Sequence, residues 1–361
     1  MSNVEDAKRR VSRFRDELRS YYKDDSGAIN FIAGALNEEQ RVYVSDYLID
    51  LVQTIDNTLG DMRKTLVEYS RARDNEEFQM KNRLRAESSV GTPQEHSESE
   101  VRFRFHRETF ENSYFFKFGG VIDLLAACLI VSSGVSKDVR TVSHADLTAG
   151  GRIDQMAKGA RNSLGLSEDP EVRASQLSIL HSMRPLTSGE ENRNWFPWLS
   201  HYRNRIVHRA QGVEFTIVRN GAVKGAYDIL RLPGKYPEEG MISGFARPDG
   251  IRATSVHEDM RDVMNVSFSR LCDVVIATID ACSPFCGRRS AGEINITQQA
   301  GQWPTEASYD YEFNGFSPDE SIKRSLKKAD TIVAHGSLLE RMEAASALIK
   351  RKAYPDSGHE H

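Results

Sequence analysis

The sequence predicts a mainly α-helical fold: a helical bundle that carries a β-hairpin insertion and has extra helical segments at its N- and C-terminal ends. Three observations predict it. Val44, Leu48, Leu51, Ile55, Leu59, Met62, Leu66 and Tyr69 recur at steps of three and four residues, which lines one face of a helix. Two further long apolar helices are expected, over Phe103–Val135 and from about His257 to Cys282. Strand-like composition is confined to Val213–Pro233, where two β-branched runs flank Asn220-Gly221.

The elements follow in order. Asn37-Glu38-Glu39-Gln40 has the pattern of a capping box and opens the first long helix. Its seam is close to a heptad, with a slip near Gly60, and must bury itself on a neighbouring helix or on a second copy of the chain. Residues 1–85 form an N-terminal helical region. Residues 86–100 hold Ser, Gly and Pro without apolar spacing and form a linker. Residues 101–285 form the main bundle. Its first helix has a possible bend at Gly119-Gly120, and shorter helices follow near Arg152–Leu164 and Pro170–Met183. A basic helix begins at about Pro197 and stops before Gly212, then the hairpin follows. The helix after the hairpin has the apolar stripe Met260, Met264, Phe268, Leu271, Val275, Ile279 and Cys282. Residues 286–361 combine an irregular stretch, holding Trp303, Tyr309, Tyr311 and Phe313, with two helices opened by capping boxes at Ser317–Glu320 and Ser337–Glu340.

Composition narrows the function. The 361 residues are 39% hydrophobic and 28% charged, an ordinary globular balance. The net charge of −4 argues against a protein that coats nucleic acid non-specifically, so any such contact must come from a local patch. Cys128, Cys272, Cys282 and Cys286 do not have zinc-site spacing and read as buried thiols. No metal and no cofactor is expected. The start, MSNVEDAKRR, has no apolar segment of a signal peptide. The most apolar run, Phe115 to Val135, contains Lys117 and Asp123, which favours a core helix over a membrane span. A cytoplasmic location and no membrane partner are the expectation. The chain has no phosphate-binding loop, no dinucleotide fingerprint, no H-E-x-x-H zinc motif and no G-x-S-x-G elbow.

What remains is the stretch Trp198 to Gly212, WLSHYRNRIVHRAQG, with three arginines, two histidines and no acid. On a helix at ~100° per residue, Trp198, Leu199, Tyr202, Ile206 and Ala210 share an apolar face. Arg203, Asn204, His208, His201 and Arg205 occupy the polar arc opposite. An acid-free arc of this kind suits an anion: arginine binds phosphate through paired hydrogen bonds, and histidine moves protons near neutral pH. Such groups can cleave RNA without metal. A base removes the 2′-hydroxyl proton, an acid protonates the leaving oxygen, and a cation holds the transition-state phosphate. Arg203 and His208 are ~140° apart around the helix, so one helix does not close both on one small ligand, whereas two copies about a two-fold axis could.

Arg203-Asn204-Arg205-Ile206-Val207-His208 resembles the R-N-x-x-x-H motif of the HEPN superfamily (higher eukaryotes and prokaryotes nucleotide-binding). The resemblance covers at most Glu100 to Pro284. It implies a helical bundle, a metal-independent endoribonuclease site shared by a homodimer, and RNA as partner. It also implies a role as a toxin or anti-phage defence effector, with a possible regulatory or antitoxin protein. It assigns catalysis to Arg203 and His208 with Asn204 as support, and His201 and Arg205 extend the site toward substrate. One departure is Ala210: a toxin branch carries a modifiable tyrosine two residues after the histidine. A second Arg-to-His match, Arg252 to His257, lacks the polar residue and straddles a loop. The alternative reading is a non-catalytic helical module that binds a nucleotide, an RNA end or a protein through the same patch.

Overall fold

The computed structural model describes residues 2–22, 28–32, 36–86, 97–135, 142, 165–186, 195–208, 214–220, 226–234, 256 and 258–296. Among them are six α-helices and one antiparallel hairpin. The helices are α1 (Ser2–Ser20), α2 (Glu38–Ala86), α3 (Glu98–Ser133), α4 (Pro170–Leu180), α5 (Trp195–His208) and α6 (Met260–Ser290). The strands are β1 (Glu214–Asn220) and β2 (Tyr227–Pro233), and a 3-10 turn, His181–Leu186, follows α4.

The frame is an antiparallel pair. α2 and α3 pack along each other, α1 lies against α2 and α6, and α6 also packs on α3. Every residue of the predicted α2 seam, from Val44 to Tyr69, is buried. The question left open by the seam is therefore answered within the chain: neighbouring helices cover it. The capping box forms as expected. Asn37 Oδ1 accepts from Gln40 N at 2.8 Å, and Gln40 Oε1 accepts from Asn37 N at 3.0 Å.

Helix α3 is the central element. Its start differs from the expected one. Glu98–Glu100, assigned to a linker, are helical, because Ser97 Oγ caps the helix by accepting from Glu100 N at 3.2 Å. The helix continues without interruption through Gly119-Gly120. Its far end closes on Gly134, whose φ of 63° is the left-handed conformation that favours glycine. The last-turn carbonyls, which have no partner inside the helix, are bonded from outside: Arg289 Nη1 donates to Ser132 O at 2.8 Å and Gln176 Nε2 to Ser133 O at 3.0 Å. This is the one described helix long and apolar enough to cross a membrane, and 72% of its most apolar window is buried inside the protein. Its apolar side chains thus form core, as Lys117 and Asp123 suggested.

The stripe on α6 from Met260 to Cys282 is buried throughout. The helix runs eight residues beyond the expected end, to Ser290, and Cys286 and Arg289 are buried there. One apolar core joins residues of α1, α2, α3, α5 and α6. The four cysteines are buried and free.

The hairpin pairs Glu214 with Pro233 through Asn220 with Tyr227. Pairing ends at Asn220–Tyr227, so the two β-branched runs on either side of Asn220-Gly221 form the expected hairpin. The expected helix at Arg152–Leu164, the aromatic stretch from Trp303 to Phe313 and the two C-terminal capping boxes lie outside the described residues.

Candidate functional site

α5 begins at Trp195, two residues before the expected start. Pro197 then falls at the third helical position, still within the first turn, where a backbone N–H has no intrahelical acceptor to lose. Arg203, Asn204, Arg205 and His208 all occupy this helix, and His208 is its last residue. The five-residue step from Arg203 to His208 is helical throughout, so the ~140° separation applies.

The apolar back of α5 is an aromatic stack on α3. The Tyr202 and Phe115 ring centroids are 4.6 Å apart, Trp195 meets Phe118 edge-on at 6.2 Å, and Trp198 lies 5.2 Å from Tyr202. Leu199 and Tyr202 are buried and Ile206 is partly so. Two polar tips are satisfied at the edges of the stack: Trp198 Nε1 donates to Gly234 O at 3.1 Å, and Tyr202 Oη donates to Glu111 Oε1 at 2.6 Å. The first bond ties α5 to the end of the hairpin.

The polar arc is divided. His201 and Asn204 are exposed. Arg203 is turned onto α3, where its stem lies across Gly119. A Cβ at that glycine would sit 2.7 Å from Arg203 Nε and 3.1 Å from its Cδ and Cζ. The Nε is buried and has no hydrogen-bond partner. The outer nitrogen Nη2 lies 3.7 Å from Asp123 Oδ2, and both side chains are part exposed. The arc is acid-free along α5 itself, but the fold places a carboxylate from α3 against its first arginine. That corrects the expectation of a patch without acids. At 3.7 Å and partial exposure the pair is a weak one.

Beneath α5 is a buried ionic cluster that sequence reasoning missed. Glu111, which accepts from Tyr202, also accepts from Arg107 Nη1 at 3.2 Å. Arg107 Nε donates to Glu76 Oε2 at 2.7 Å. Glu76 receives Arg231 Nη2 of β2 at 2.8 Å as well. Arg231 N donates to Asp259 Oδ2 at 3.1 Å, and Asp259, the N-cap of α6, receives the Arg73 guanidinium of α2. Glu76, Arg107, Glu111, Arg231 and Arg73 are all at most 6% exposed. Charges from α2, α3, β2 and the cap of α6 are thus joined out of water, with α5 attached through the Tyr202 hydroxyl. Burial alone would raise the Asp259 pKa, but the Arg73 hydrogen bond and the N–H groups of Arg231 and Arg261 outweigh it and hold the group below the usual carboxylate range. A signal was present in the sequence. The α2 seam continues past Tyr69 through Ala72 to Glu76, which puts a carboxylate at a core-facing position.

Among the described residues no group of three or more His, Cys, Asp or Glu side chains could hold a metal ion. Two larger clefts, of about 400 and about 450 Å³, open along α1, and no described residue of α5 lines either one. No protein-family model matches the chain, and no curated protein or solved structure does.

Proposed function

We propose that the protein is a metal-independent endoribonuclease of the HEPN type, acting as a homodimer on RNA. The observation that carries this reading is the setting of Arg203-Asn204-x-x-x-His208. The motif lies on one helix whose apolar back packs against α3, while His201 and Asn204 face solvent. A helix so docked can present its polar arc in a fixed position. Because positions 203 and 208 lie ~140° apart around the helix, the scheme uses two copies of the chain around one phosphate. His208 of one copy takes the 2′-hydroxyl proton. The 2′-oxygen attacks the adjacent phosphorus, and the bond to the 5′-oxygen breaks. The second His208 returns a proton to that oxygen, while Arg203 holds the phosphoryl oxygens and Asn204 orients Arg203 and His208. The products are a 2′,3′-cyclic phosphate and a 5′-hydroxyl end. A toxin or defence role, under the control of a restraining protein, belongs to the same proposal.

One observation favours a second reading. The Arg203 stem packs on Gly119 and its tip faces Asp123, which is how an arginine serves structure. In that reading the exposed arc binds a nucleotide, an RNA end or a protein without cutting. Incubating the purified chain with RNA in EDTA separates the two. The nuclease reading expects cyclic phosphate ends that disappear in both Arg203→Ala and His208→Ala, with the fold of each variant intact by circular dichroism. Uncut RNA, together with a monomeric chain, would overturn it.

A further inference from the structure

The cleft of about 450 Å³ lies between α2 and α6, and the course of α1 explains it. Arg63 bonds to Glu5 and Arg15 to Gln53, so α1 runs antiparallel to α2. Asn3 bonds to Asp273 and Arg10 to Asp280, so α1 runs parallel to α6. It thus fills the groove between the two helices, and the groove continues past its first turn. There α2 presents Leu66, Val67 and Ser70, and α6 presents Asn265, Phe268 and Ser269. Both ends are closed. Asn3 and Val4 stand at one, where Asn3 Nδ2 donates to Asp273 Oδ1 at 2.7 Å. The Arg261–Asp74 ion pair bridges α6 and α2 at the other. From residue 63 to residue 74 the cleft is about 16 Å long.

The floor is apolar. Val4, Leu66 and Phe268 are each at most 9% exposed, and Cys272 is fully buried. Val67, on the wall, is 44% exposed and offers apolar surface still open to water. The charges around the cleft are already matched: Arg63 with Glu5, Arg71 with Glu68 and Asp74 with Arg261. The uncommitted polar groups are neutral, since no described residue bonds to the side chains of Ser70, Asn265 or Ser269. A closed-ended cleft with an apolar floor and a few convergent polar groups has the build of a small-molecule site, whose volumes run from ~300 to ~1,000 Å³. We propose that it binds an uncharged small molecule with an apolar body and one or two hydrogen-bonding groups. The body covers Leu66, Val67 and Phe268, and its polar groups meet Ser70, Asn265 and Ser269. A phosphate or carboxylate on the ligand would have to compete with the carboxylates that already hold Arg63 and Arg71. A partner helix suits the cleft less well, because laid lengthwise it meets α1 at one end and the ion pair at the other. No described residue of α5 lines the cleft, and the proposal stands independently of the ribonuclease reading.

The test uses the full chain and two probes that differ in one group. N-phenylnaphthylamine is uncharged and carries one N–H. Anilinonaphthalene sulfonate has the same ring systems and adds an anion. Both fluoresce more strongly in apolar surroundings. Titration with the uncharged probe should saturate at one molecule per chain, and the sulfonate should bind more weakly. Val67→Trp and Ser269→Trp set an indole into the cleft from positions open to solvent. Each should weaken binding of the uncharged probe on the order of tenfold or more. Val101→Trp, at an exposed valine of α3, should leave it unchanged. Circular dichroism confirms that the variants keep their helices. Four results would each overturn the proposal: no saturable binding, unchanged affinity in both cleft variants, an equal loss in Val101→Trp, or tighter binding of the sulfonate. A dimer that dissociates in Val67→Trp while probe binding is untouched would assign the cleft to a second copy of the chain and overturn it as well.

Discussion

Gly119 and Gly120 are adjacent on α3 and make a matched pair for testing where Arg203 sits. In a helix interior, alanine is favoured over glycine by roughly 0.5–1 kcal/mol, because it loses less backbone freedom on folding. At Gly120 an added methyl group meets nothing within 4 Å, so Gly120→Ala should be stabilising by that amount. At Gly119 the same methyl lands 2.7 Å from Arg203 Nε and 3.1 Å from Cδ and Cζ. Ordinary contact between such atoms is about 3.5–4.0 Å. The shortfall approaches 1 Å against the middle of a side chain held between two helices. Overpacking of this kind costs about 1–3 kcal/mol. Gly119→Ala should therefore be less stable than Gly120→Ala by about 1–3 kcal/mol, despite identical intrinsic gains. Urea unfolding followed by circular dichroism, with equal m-values, measures the difference. The cycle closes with Arg203→Ala, which removes the obstruction. In that background Gly119→Ala should become as stabilising as Gly120→Ala. Equal effects of the two glycine substitutions in the wild-type background would refute the placement of Arg203 on α3.

Three other substitutions or treatments probe the supports of the site. Tyr202→Phe removes the hydroxyl that donates to buried Glu111 and should cost about 1–3 kcal/mol in urea unfolding, whereas Tyr43→Phe, at an exposed tyrosine, should change stability little. Asp259→Asn takes from buried Arg73 one of its two carboxylates, with Glu77 remaining at 2.6 Å, and should cost about 1.5–3 kcal/mol at neutral pH. The folded pKa of Asp259 lies below its unfolded value of about 3.9, so its contribution is present above that pH and is lost as pH falls through the depressed folded value. The acid limb of the stability curve should accordingly be flatter in the variant, and an unchanged limb would count against the pair. Burial pushes the Cys272 and Cys286 thiols up to about 12, so iodoacetamide near pH 8 should leave them unmodified in the native chain and alkylate them in urea. Native labelling at the denatured rate, read by mass spectrometry, would contradict that burial.

Much of the fold was legible because long helices repeat their signals. The α2 seam, the α6 stripe and the Asn37–Gln40 box each depend on residues three or four apart, and each is found where the spacing puts it. Boundaries were less legible where a partner outside the element decides them. α3 starts at Glu98 because Ser97 caps it, within a stretch whose polar composition resembled a linker. α6 passes Cys282 because Cys286 and Arg289 also find buried places, the latter on the carbonyls at the end of α3. The hairpin was legible in its two β-branched runs, while its register is set by which residues pair across the strands.

For the candidate site the division is similar. The one-helix placement of Arg203, Asn204 and His208 and the aromatic back of that helix were determined by sequence alone, since periodicity on a helix is local geometry. The tertiary structure decided what faces those residues. It laid Arg203 across Gly119 and opposite Asp123, 80 positions away in the chain. It also hung Tyr202 on a cluster of buried charges drawn from α2, α3, β2 and the cap of α6. These contacts have no local signature. A carboxylate and a guanidinium in different helices meet only when the core between those helices has packed, and the energy of the meeting depends on the burial that packing creates.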